Sequence, residues 1–500
     1  MEGHSIWQKI SSSATSYPSL KENIEVDVAI IGGGITGITA AINLLKAGKK
    51  VAIVEASKVG GVTTSMSTGN LYLEIQPLYQ TLASNFGIEK AKDIALSRQL
   101  AIDYIETNVN SYNINCQFKR RPWYAYSLEN ETLLHQEIET LKQMNIDIEE
   151  IFSLPFDFKF KKAAVMNNQA RFNPLQYVIS MATELMKRGC LIYEDTRVTA
   201  ITENNVCHVL TNDGHITAKH VFMATHTPFG INTTQMFTAP YRSYVVAVHL
   251  KENDYPEGHF WKFDNPPYVL CTHAISKAQP DTLMIAGRHH KTGQGNNMQQ
   301  HFSELENFLR EYFSISEIVV NWSAQHYHSA DKIPYIGLAN HTTKNIYMAT
   351  GYFADGLVYG TLAGILVSDM ILQKSNTFAE IYNANRSSLG SSLGFVAKEN
   401  LNVLAQYAKD LPLSATNNFE NLQVGEGRIV EINREKCAIS RDSSNQLHLV
   451  SAVCTHMKCI VNWNNAEQTW DCPCHGSRFA PTGEVLEGPA TKNLEKKKIT

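Results

Sequence analysis

The stretch Val26-Asp27-Val28-Ala29-Ile30-Ile31-Gly32-Gly33-Gly34-Ile35-Thr36-Gly37 decides how the first part of this chain of 500 residues folds. An apolar strand runs directly into three glycines, an apolar helical run follows, and a second apolar strand ends at Glu55. In such a strand–helix–strand unit, Gly32 permits the tight turn, Gly34 lets a pyrophosphate approach the helix N-terminus, and Gly37 lets helix and strand pack closely. The stretch therefore predicts an α/β, Rossmann-like dinucleotide-binding fold.

Glu55 strengthens this prediction because an acid at the end of the second strand can bind the diol of a ribose. A lone GxGxxG motif is a weak signal, but here the strand, the helix, the second strand and the acid are all present. The motif by itself does not separate FAD from NAD. That choice depends on the rest of the chain.

Two short runs near the C-terminus each combine a cysteine with a histidine: Cys454-Thr455-His456-Met457-Lys458-Cys459 and Cys472-Pro473-Cys474-His475-Gly476-Ser477. Two thiolates and two imidazoles match a Rieske 2Fe–2S cluster, in which the thiolates hold one iron and the histidines hold the other. Zinc also accepts two cysteines and two histidines, so the four donors alone leave a zinc site open. The predicted metal ligands are Cys454, His456, Cys472 and His475.

Both runs resemble the cluster-binding boxes of the Rieske family. The resemblance favours the 2Fe–2S cluster over zinc and implies a small all-β domain. In the disulfide-bearing branch of that family, the positions of Cys459 and Cys474 are joined, so a disulfide is implied here. Lys458 departs from the pattern, which usually has glycine at that position, and we therefore expect a less tightly turned loop.

Residues 25–375 resemble the D-amino-acid-oxidase-like FAD-dependent oxidoreductases, which include glycine oxidase and sarcosine oxidase. The likeness rests on four segments, Gly60–Ser65, Phe172–Val198, Val221–His226 and Ile346–Leu357. It implies FAD as the cofactor, with a helix N-terminus at Gly356 placed near the flavin ring. The FAD contacts predicted from motif and resemblance together are Gly32, Gly34, Ile35, Thr36, Gly37, Glu55, Thr63, Thr64, Ser65, Val198, Thr225, Gly351, Asp355, Gly356 and Leu357.

These anchors predict the domain organisation. We expect an N-terminal arm over 1–24, the flavoprotein over 25–375, a connector over 376–417 and the Rieske domain over 418–500. Within the flavoprotein, the FAD-binding part covers about 25–84, 166–239 and 326–375, and the substrate part covers about 85–165 and 240–325. The predicted fold class is a Rossmann-like FAD-binding domain, a mixed-sheet α+β substrate domain and a small C-terminal all-β Rieske domain.

Composition excludes several classes of function. An apolar content of 43% and a charged content of 18% are ordinary for a globular protein. The net charge of −4 gives no electrostatic reason to expect nucleic acid as a partner. The longest apolar stretch, Leu357 to Leu372, contains Asp369 and is shorter than a membrane span. We expect a cytoplasmic protein without a membrane span.

The substrate site is less visible in the sequence. Arg242 and Arg288 are candidates for binding a substrate carboxylate, because an arginine can hold both of its oxygens. Lys291 is a candidate for favouring oxygen reduction, as a lysine does in the sarcosine-oxidase-like proteins, and His326 is a further site candidate. A structural ion pair or a packing contact is the favoured explanation for each of the four, so the catalytic residues stay unassigned.

The combined motifs predict a two-centre oxidoreductase. FAD would oxidise an amine or amino-acid-like small molecule, and the electrons would pass singly to the 2Fe–2S cluster and to an external acceptor that the sequence does not identify. One alternative is an oxidase that reduces oxygen to hydrogen peroxide, with a structural or regulatory cluster. Another is a non-enzymatic redox sensor. A reductase fed by NAD(P)H is disfavoured because a second GxGxxG in a strand–helix context is missing from the sequence.

Overall fold

The structure is a computed structural model that describes residues 4–11, 15–252, 254–274, 281–295, 297–386, 394–403 and 421–498. Part of the predicted connector therefore lies outside the described residues. The α-helices are α1 (Ile6–Ile10), α2 (Ile35–Lys46), α3 (Tyr79–Phe86), α4 (Ile88–Ser111), α5 (Thr132–Gln143), α6 (Pro174–Lys187), α7 (Gln299–Tyr312), α8 (Gly356–Ile371) and α9 (Ala379–Tyr382). Residues 394–403 are also helical.

The strands before residue 351 belong to two large sheets. They are β1 (Ile24–Ile31), β2 (Val51–Val54), β3 (Asn70–Leu71), β4 (Lys119–Ser127), β5 (Glu149–Ile151), β6 (Lys162–Arg171), β7 (Leu191–Tyr193), β8 (Val198–Glu203), β9 (Cys207–Thr211), β10 (His215–Met223), β11 (Thr238–Leu250), β12 (His259–Lys262), β13 (Tyr268–His273), β14 (Thr282–Lys291), β15 (Ile315–Ser329), β16 (Tyr335–Leu338) and β17 (Ile346–Thr350).

The first sheet has the strand order β16-β17-β10-β1-β2-β7, with β9 and β8 added beyond β10. β1 is parallel to both β2 and β10, and β10 is parallel to β17. All four residues of β2 are buried, as expected for a strand covered on both faces. The helices α2 and α8 pack against each other on one face, where Gly360 and Gly364 lie against Thr36 and Thr39.

The second sheet is mixed and has the order β15-β11-β14-β13-β12-β4-β6-β3, with β5 beside β6. β4 and β12 are parallel, whereas the other pairs are antiparallel. Helix α7 covers one face through Phe302, Leu305 and Leu309. Along each strand, the side chains that alternate with those under α7 lie on the opposite face of the second sheet, which faces the first sheet.

The C-terminal part consists of two small antiparallel sheets. β18 (Gly427–Ile432), β19 (Glu435–Arg441) and β20 (Leu447–Ser451) form one, and β21 (Asn462–Asn464), β22 (Thr469–Asp471), β23 (Arg478–Phe479) and β24 (Val485–Glu487) form the other. Together the three sheet systems confirm the predicted fold class of a Rossmann-like part, a mixed-sheet part and an all-β C-terminal part. Within the described residues, no helix combines the length and apolar character needed to cross a membrane.

The segment before β1 packs against the flavoprotein. Trp7 on α1 is completely buried, and its indole N–H donates to the carbonyl oxygen of Ser67 at 2.7 Å. Its ring also lies edge-on to His273 at 4.9 Å between centroids. Further along, Leu20 is buried in the core beside β1. The segment predicted to be an arm therefore fills part of the core.

The C-terminal domain lies close against the second sheet. A Cβ atom on Gly476 would lie 2.6 Å from the Cβ of Pro240, and one on Gly293 would lie 2.8 Å from the carbonyl oxygen of Asp471. The side-chain amide of Asn462 donates to the carbonyl oxygen of Gly293 at 2.8 Å. The two backbones therefore approach each other closely, and glycine on each side makes this possible.

Buried charges join the same two parts. Arg242 on β11 is 1% exposed and lies 2.5 Å from Glu467 of the C-terminal domain. Arg478 contacts the same Glu467 at 3.2 Å, Asp471 at 3.1 Å and Glu487 at 2.5 Å. Burial alone would raise the pKa of Glu467 and of Asp471, but the two guanidinium groups outweigh it and hold both values below normal. The network therefore stays ionised while excluded from water.

We predict that Gly364→Ala destabilises the flavoprotein by about 1–3 kcal/mol, the usual cost of overpacking a tight contact. The added Cβ would lie 2.6 Å from the Cβ of Thr39 and 2.7 Å from the carbonyl oxygen of Thr36, so α2 and α8 must move apart. Urea denaturation followed by fluorescence measures the loss. An unchanged midpoint would show that the two helices separate without cost.

Arg242→Met should destabilise the native chain by about 3–5 kcal/mol, because it leaves a buried carboxylate without one of its cations. Arg288→Met is the matched control, since Arg288 is a half-buried arginine that pairs with Glu304. It should cost about 1 kcal/mol or less. Equal losses in the two variants, measured by denaturant titration, would contradict a special role for the buried network.

The same network predicts acid sensitivity. The folded-state pKa values of Glu467 and Asp471 are depressed, so their contribution is present above the ordinary carboxyl range of about 4 and is lost as the pH falls through and below it. Limited proteolysis between the two parts should therefore accelerate at acidic pH. Arg242→Met should weaken that pH dependence. A cleavage rate of the wild-type protein that does not change with pH would refute the predicted acid sensitivity.

Candidate functional site

A cavity of about 530 Å³ lies between the two large sheets. Gly32, at φ 109°, forms its floor, where an added Cβ would lie 2.5 Å from the carbonyl oxygen of Ala224. Helix α2 starts immediately above with Gly34 as its N-cap, which has no side chain, and the N–H of Ile35 donates to the hydroxyl of Thr64 at 3.2 Å. The N–H groups and the dipole of a helix N-terminus attract phosphate. The glycine turn and the helix N-terminus therefore fit a dinucleotide pyrophosphate.

Most of the predicted FAD contacts line this cavity. They are Gly32, Gly34, Ile35, Thr36, Glu55, Thr63, Thr64, Val198, Thr225, Asp355, Gly356 and Leu357. Three predicted residues do not: Gly37, Ser65 and Gly351. A Cβ on Gly37 would collide with the carbonyl oxygen of Gly32, the hydroxyl of Ser65 donates to two backbone carbonyls, and Gly351 turns the chain against Ser329. These three residues pack against the segments that line the cavity.

Glu55 holds the glycine turn. Its carboxylate accepts hydrogen bonds from the backbone N–H groups of Gly33 and Ser57, each at 2.8 Å. Burial raises the pKa of this carboxyl, and the two N–H donors oppose the rise. Glu55 also lines the cavity, so the position suits both a structural role and contact with a ribose hydroxyl.

Helix α8 begins at Gly356, as the resemblance implied. Its N-cap Asp355 makes no side-chain cap and instead lies 3.5 Å from the guanidinium of Arg98. Arg98 is fully buried and donates to the carbonyl oxygens of residues 72, 73 and 74. The first turn of α8 therefore faces the cavity with free N–H groups, a suitable setting for the electron-rich edge of a flavin ring.

The structure places one of the four catalytic candidates in the cavity lining and the other three outside it. His326 lines the cavity, and both of its ring nitrogens are buried without a hydrogen-bond partner. The other three lie outside the lining, and each pairs with an acid: Arg242 with Glu467, Arg288 with Glu304, and Lys291 with Glu399. Their charges are used in ion pairs, so the structure does not support them as substrate ligands.

The sequence reasoning missed an aromatic wall on the second sheet. Tyr72, Trp261 and Phe263 line the cavity, with ring centroids 5.7 and 6.0 Å apart along the row. Two partly buried histidines, His226 and His289, also line it. The signal was the alternation around β12, which places Trp261 and Phe263 on one face, but the alternation alone did not show what that face covers.

The four predicted metal ligands come together at the tips of two loops. Cys454 and Cys472 are buried with adjacent thiols, and the rings of His456 and His475 lie 5.0 Å apart between centroids. The Nδ1 atoms of both rings are buried and have no hydrogen-bond partner. Burial lowers the pKa of both imidazoles, to about 4 for His475, and keeps them in the neutral form that binds metal. Two thiols and two free imidazole nitrogens fit the donor set of a Rieske cluster.

A disulfide joins the two loops between Cys459 and Cys474, with Cα atoms 6.6 Å apart. The expected loosening at Lys458 is wrong. Lys458 adopts φ 64°, the left-handed conformation that glycine would take, and its N–H donates to the carbonyl oxygen of Cys454 at 3.1 Å. The loop therefore keeps its tight turn although a side chain occupies the position.

The cavity and the cluster loops share a wall. Gln325 and Tyr327 on β15 line the cavity. The amide of Gln325 donates to the carbonyl oxygen of Gly476 at 2.9 Å. The hydroxyl of Tyr327 donates to the backbone carbonyl oxygen of His475 at 3.3 Å. In addition, a ring nitrogen of His456 lies 2.9 Å from the carbonyl oxygen of Gly230. Residues of the C-terminal domain, 486–488, 490 and 491, complete the cavity lining.

We predict that the two centres are separable. Replacing His456 or His475 by alanine should remove the iron and leave FAD bound, because neither side chain lines the cavity. His448→Ala is the matched control: His448 lies in the same domain and pairs with Asp442 at 2.7 Å. It should retain its iron. Metal and acid-labile sulfide analysis with flavin absorbance measures this, and one zinc without sulfide in the wild type would exclude the cluster.

Comparisons with known proteins agree with this geometry. The model of the FAD dependent oxidoreductase family (DAO) matches residues 27–370, and that of the Rieske [2Fe-2S] domain matches residues 414–498. A Bacillus subtilis (strain 168) protein named for a Rieske 2Fe–2S centre, YhfW, is 35% identical over 99% of this chain and 97% of its own length.

More distant relatives match part of the chain. γ-Glutamylputrescine oxidoreductase of Escherichia coli (strain K12) is 21% identical over 75% of this chain and 90% of its own length. The crystal structure of glycine oxidase from Geobacillus kaustophilus superposes with a TM-score of 0.61 at 17% identity, covering 73% of this chain and 99% of that one. The protein therefore belongs to the DAO family of FAD-dependent oxidoreductases and carries a C-terminal Rieske domain, so its cofactors are FAD and a 2Fe–2S cluster.

Proposed function

We propose that this enzyme oxidises an amine or amino-acid-like substrate in the cavity and releases the electrons singly, through the Rieske centre, to an external one-electron acceptor. The observation that carries the proposal is the shared wall, in which Gln325 and Tyr327 contact both the cavity and the second cluster loop. When bound, FAD accepts the electron pair as the C–H bond beside nitrogen breaks and a C=N bond forms, and the cluster carries one electron at a time.

The shared wall consists of Gln325 and Tyr327, and both side chains are shielded from water. Tyr327 is 2% exposed, and burial raises the pKa of its phenol, so the hydroxyl stays protonated and donates. Gln325 is 3% exposed, its amide also donates to the Tyr327 oxygen at 3.1 Å, and its own carbonyl accepts from Thr292 at 3.0 Å. Each polar group is satisfied, which fixes the cluster loop on the cavity wall.

Two further points support amine oxidation with electron transfer through the cluster. The relatives include an oxidoreductase named for γ-glutamylputrescine and a glycine oxidase, whose names indicate substrates with an oxidisable C–N bond. In addition, the lysine considered for oxygen reduction, Lys291, is paired with Glu399 and lies outside the cavity lining. Without that ammonium at the flavin, the oxidase alternative loses its structural support.

The test is anaerobic mixing of the holoenzyme with a panel of amines while flavin absorbance and the electron paramagnetic resonance of the cluster are followed. We expect flavin bleaching by at least one amine, followed by reduction of the cluster. Stoichiometric hydrogen peroxide in air with a redox-silent cluster would establish the oxidase instead. Failure of all amines to bleach the flavin would favour the redox sensor.

Gln325→Leu tests the shared wall directly. It removes the bonds to Gly476 and Tyr327, so cluster reduction should slow several-fold more than flavin reduction by substrate, which can also change because Gln325 lines the cavity. Asn462→Ala is the matched control, because it removes an interface hydrogen bond, to Gly293, that is remote from the lining. It should leave both rates unchanged. Equal slowing in the two variants would reduce the role of Gln325 to general docking.

A further inference from the structure

We propose that the substrate is an amine with an apolar or aromatic carbon skeleton and without a carboxylate beside its nitrogen. This inference rests on the proposed function and narrows its substrate class. It depends on two properties of the cavity: the scarcity of positive charge in the lining, and the aromatic wall formed by Tyr72, Trp261 and Phe263.

The lining offers one cationic side chain among the residues that the structure describes, Arg197. It directly precedes Val198, interacts electrostatically with Glu55, and donates to the carbonyl oxygen of Val485 at 3.0 Å. Arg197 therefore lies at the dinucleotide end of the cavity. A carboxylate removed from water is best stabilised by a cation, and the sheet face opposite offers only the single N–H donors of neutral side chains such as His289 and His326.

The histidines of the lining do not replace that cation. Burial lowers the pKa of His226 and of His289 to about 4, and it lowers that of His326 further, with the neighbouring histidines adding to the effect. At neutral pH the three imidazoles are uncharged. Three acids also line the cavity, but Asp355 is paired with Arg98 and Glu487 with Arg478, and Glu55 holds the glycine turn at the dinucleotide end. What disfavours an anionic substrate is therefore the lack of a cation on the sheet face of the lining.

Arginines near the cavity are otherwise engaged or set apart from it. Arg98 donates to backbone carbonyls and contacts Asp355, and Arg242 and Arg288 are paired with acids. Arg171, at the end of β6, is 4% exposed and has no ion pair, but it does not line the cavity. Arg171 is thus the cation to exclude by experiment.

The aromatic wall supplies the positive part of the argument. Tyr72 and Trp261 lie 5.7 Å apart at an angle of 48°, and Trp261 and Phe263 lie 6.0 Å apart at 51°. Val245 and Val269 extend the same lining with aliphatic groups. Such a surface binds an apolar skeleton by burial and attracts an ammonium group through the ring faces. Both interactions favour an amine over an amino acid.

The test compares substrates that differ by one carboxylate: benzylamine with phenylglycine, phenethylamine with phenylalanine, and pyrrolidine with proline. With the holoenzyme under anaerobic conditions, the amine of at least one pair should bleach the flavin about tenfold faster or more than its acid, since leaving a buried carboxylate unpaired costs at least about 1.4 kcal/mol. Equal rates, or faster bleaching by the amino acids, would overturn the inference and leave the proposed function standing. No bleaching by any compound would overturn both.

Binding provides a second readout. Benzoate and pyrrole-2-carboxylate should neither shift the flavin spectrum nor raise the melting temperature, and a saturable shift would contradict the inference. Arg171→Met and Arg288→Gln, both outside the lining, should leave the amine-to-acid ratio of bleaching rates unchanged. A change of that ratio in either variant would identify a carboxylate-binding arginine and overturn the proposal. Trp261→Ala should lower the affinity for benzylamine more than that for pyrrolidine, because it removes ring surface.

Discussion

The close approach of the second cluster loop to the large mixed sheet is the constraint on which the two-centre arrangement depends. Gly476 adopts φ 78° and leaves no space for a Cβ atom between itself, Pro240 and Tyr327. Any side chain at that position would push the C-terminal domain away from the cavity wall. The hydrogen bonds from Gln325 and Tyr327 to this loop exist only because the backbone comes so near.

The buried charges beside this contact act on its specificity more than on its strength. Arg242 and Arg478 share Glu467, so one carboxylate of the C-terminal domain is compensated by a cation of its own domain and by one from β11. Removing five charged groups from water is costly, and an apolar interface of equal area would be as stable or more so. What the charges add is a single docking position, because displacement by a few ångströms would leave a carboxylate buried and unpaired. The cluster loops are thereby held in register with β15.

Much of this architecture was predictable from the sequence because the signals are local. The glycine turn after β1, the helix start at Gly356 and each of the two Cys–His boxes lie within a dozen residues, and the fold class and cofactors predicted from them are confirmed. The role of Arg242 was not predictable, since its partner Glu467 lies in another domain and no spacing rule links the two. Trp7 was missed for the same reason: its place in the core depends on Ser67 and on the far sheet.

The charges that line the cavity are related to the ion pairs that lie around it. A chain that binds its substrate through an arginine must leave that arginine unpaired in the empty state, at the cost of a buried charge. Here Arg242, Arg288 and Lys291 each have an acidic partner, two of them in the C-terminal third of the chain. Arg242 and Lys291 are thus committed to acids in the last third of the chain, and Arg288 to Glu304 on α7. Apart from Arg197 at the dinucleotide end, the described lining has no cationic side chain, and its aromatic wall suits a substrate whose own charge, if any, is positive.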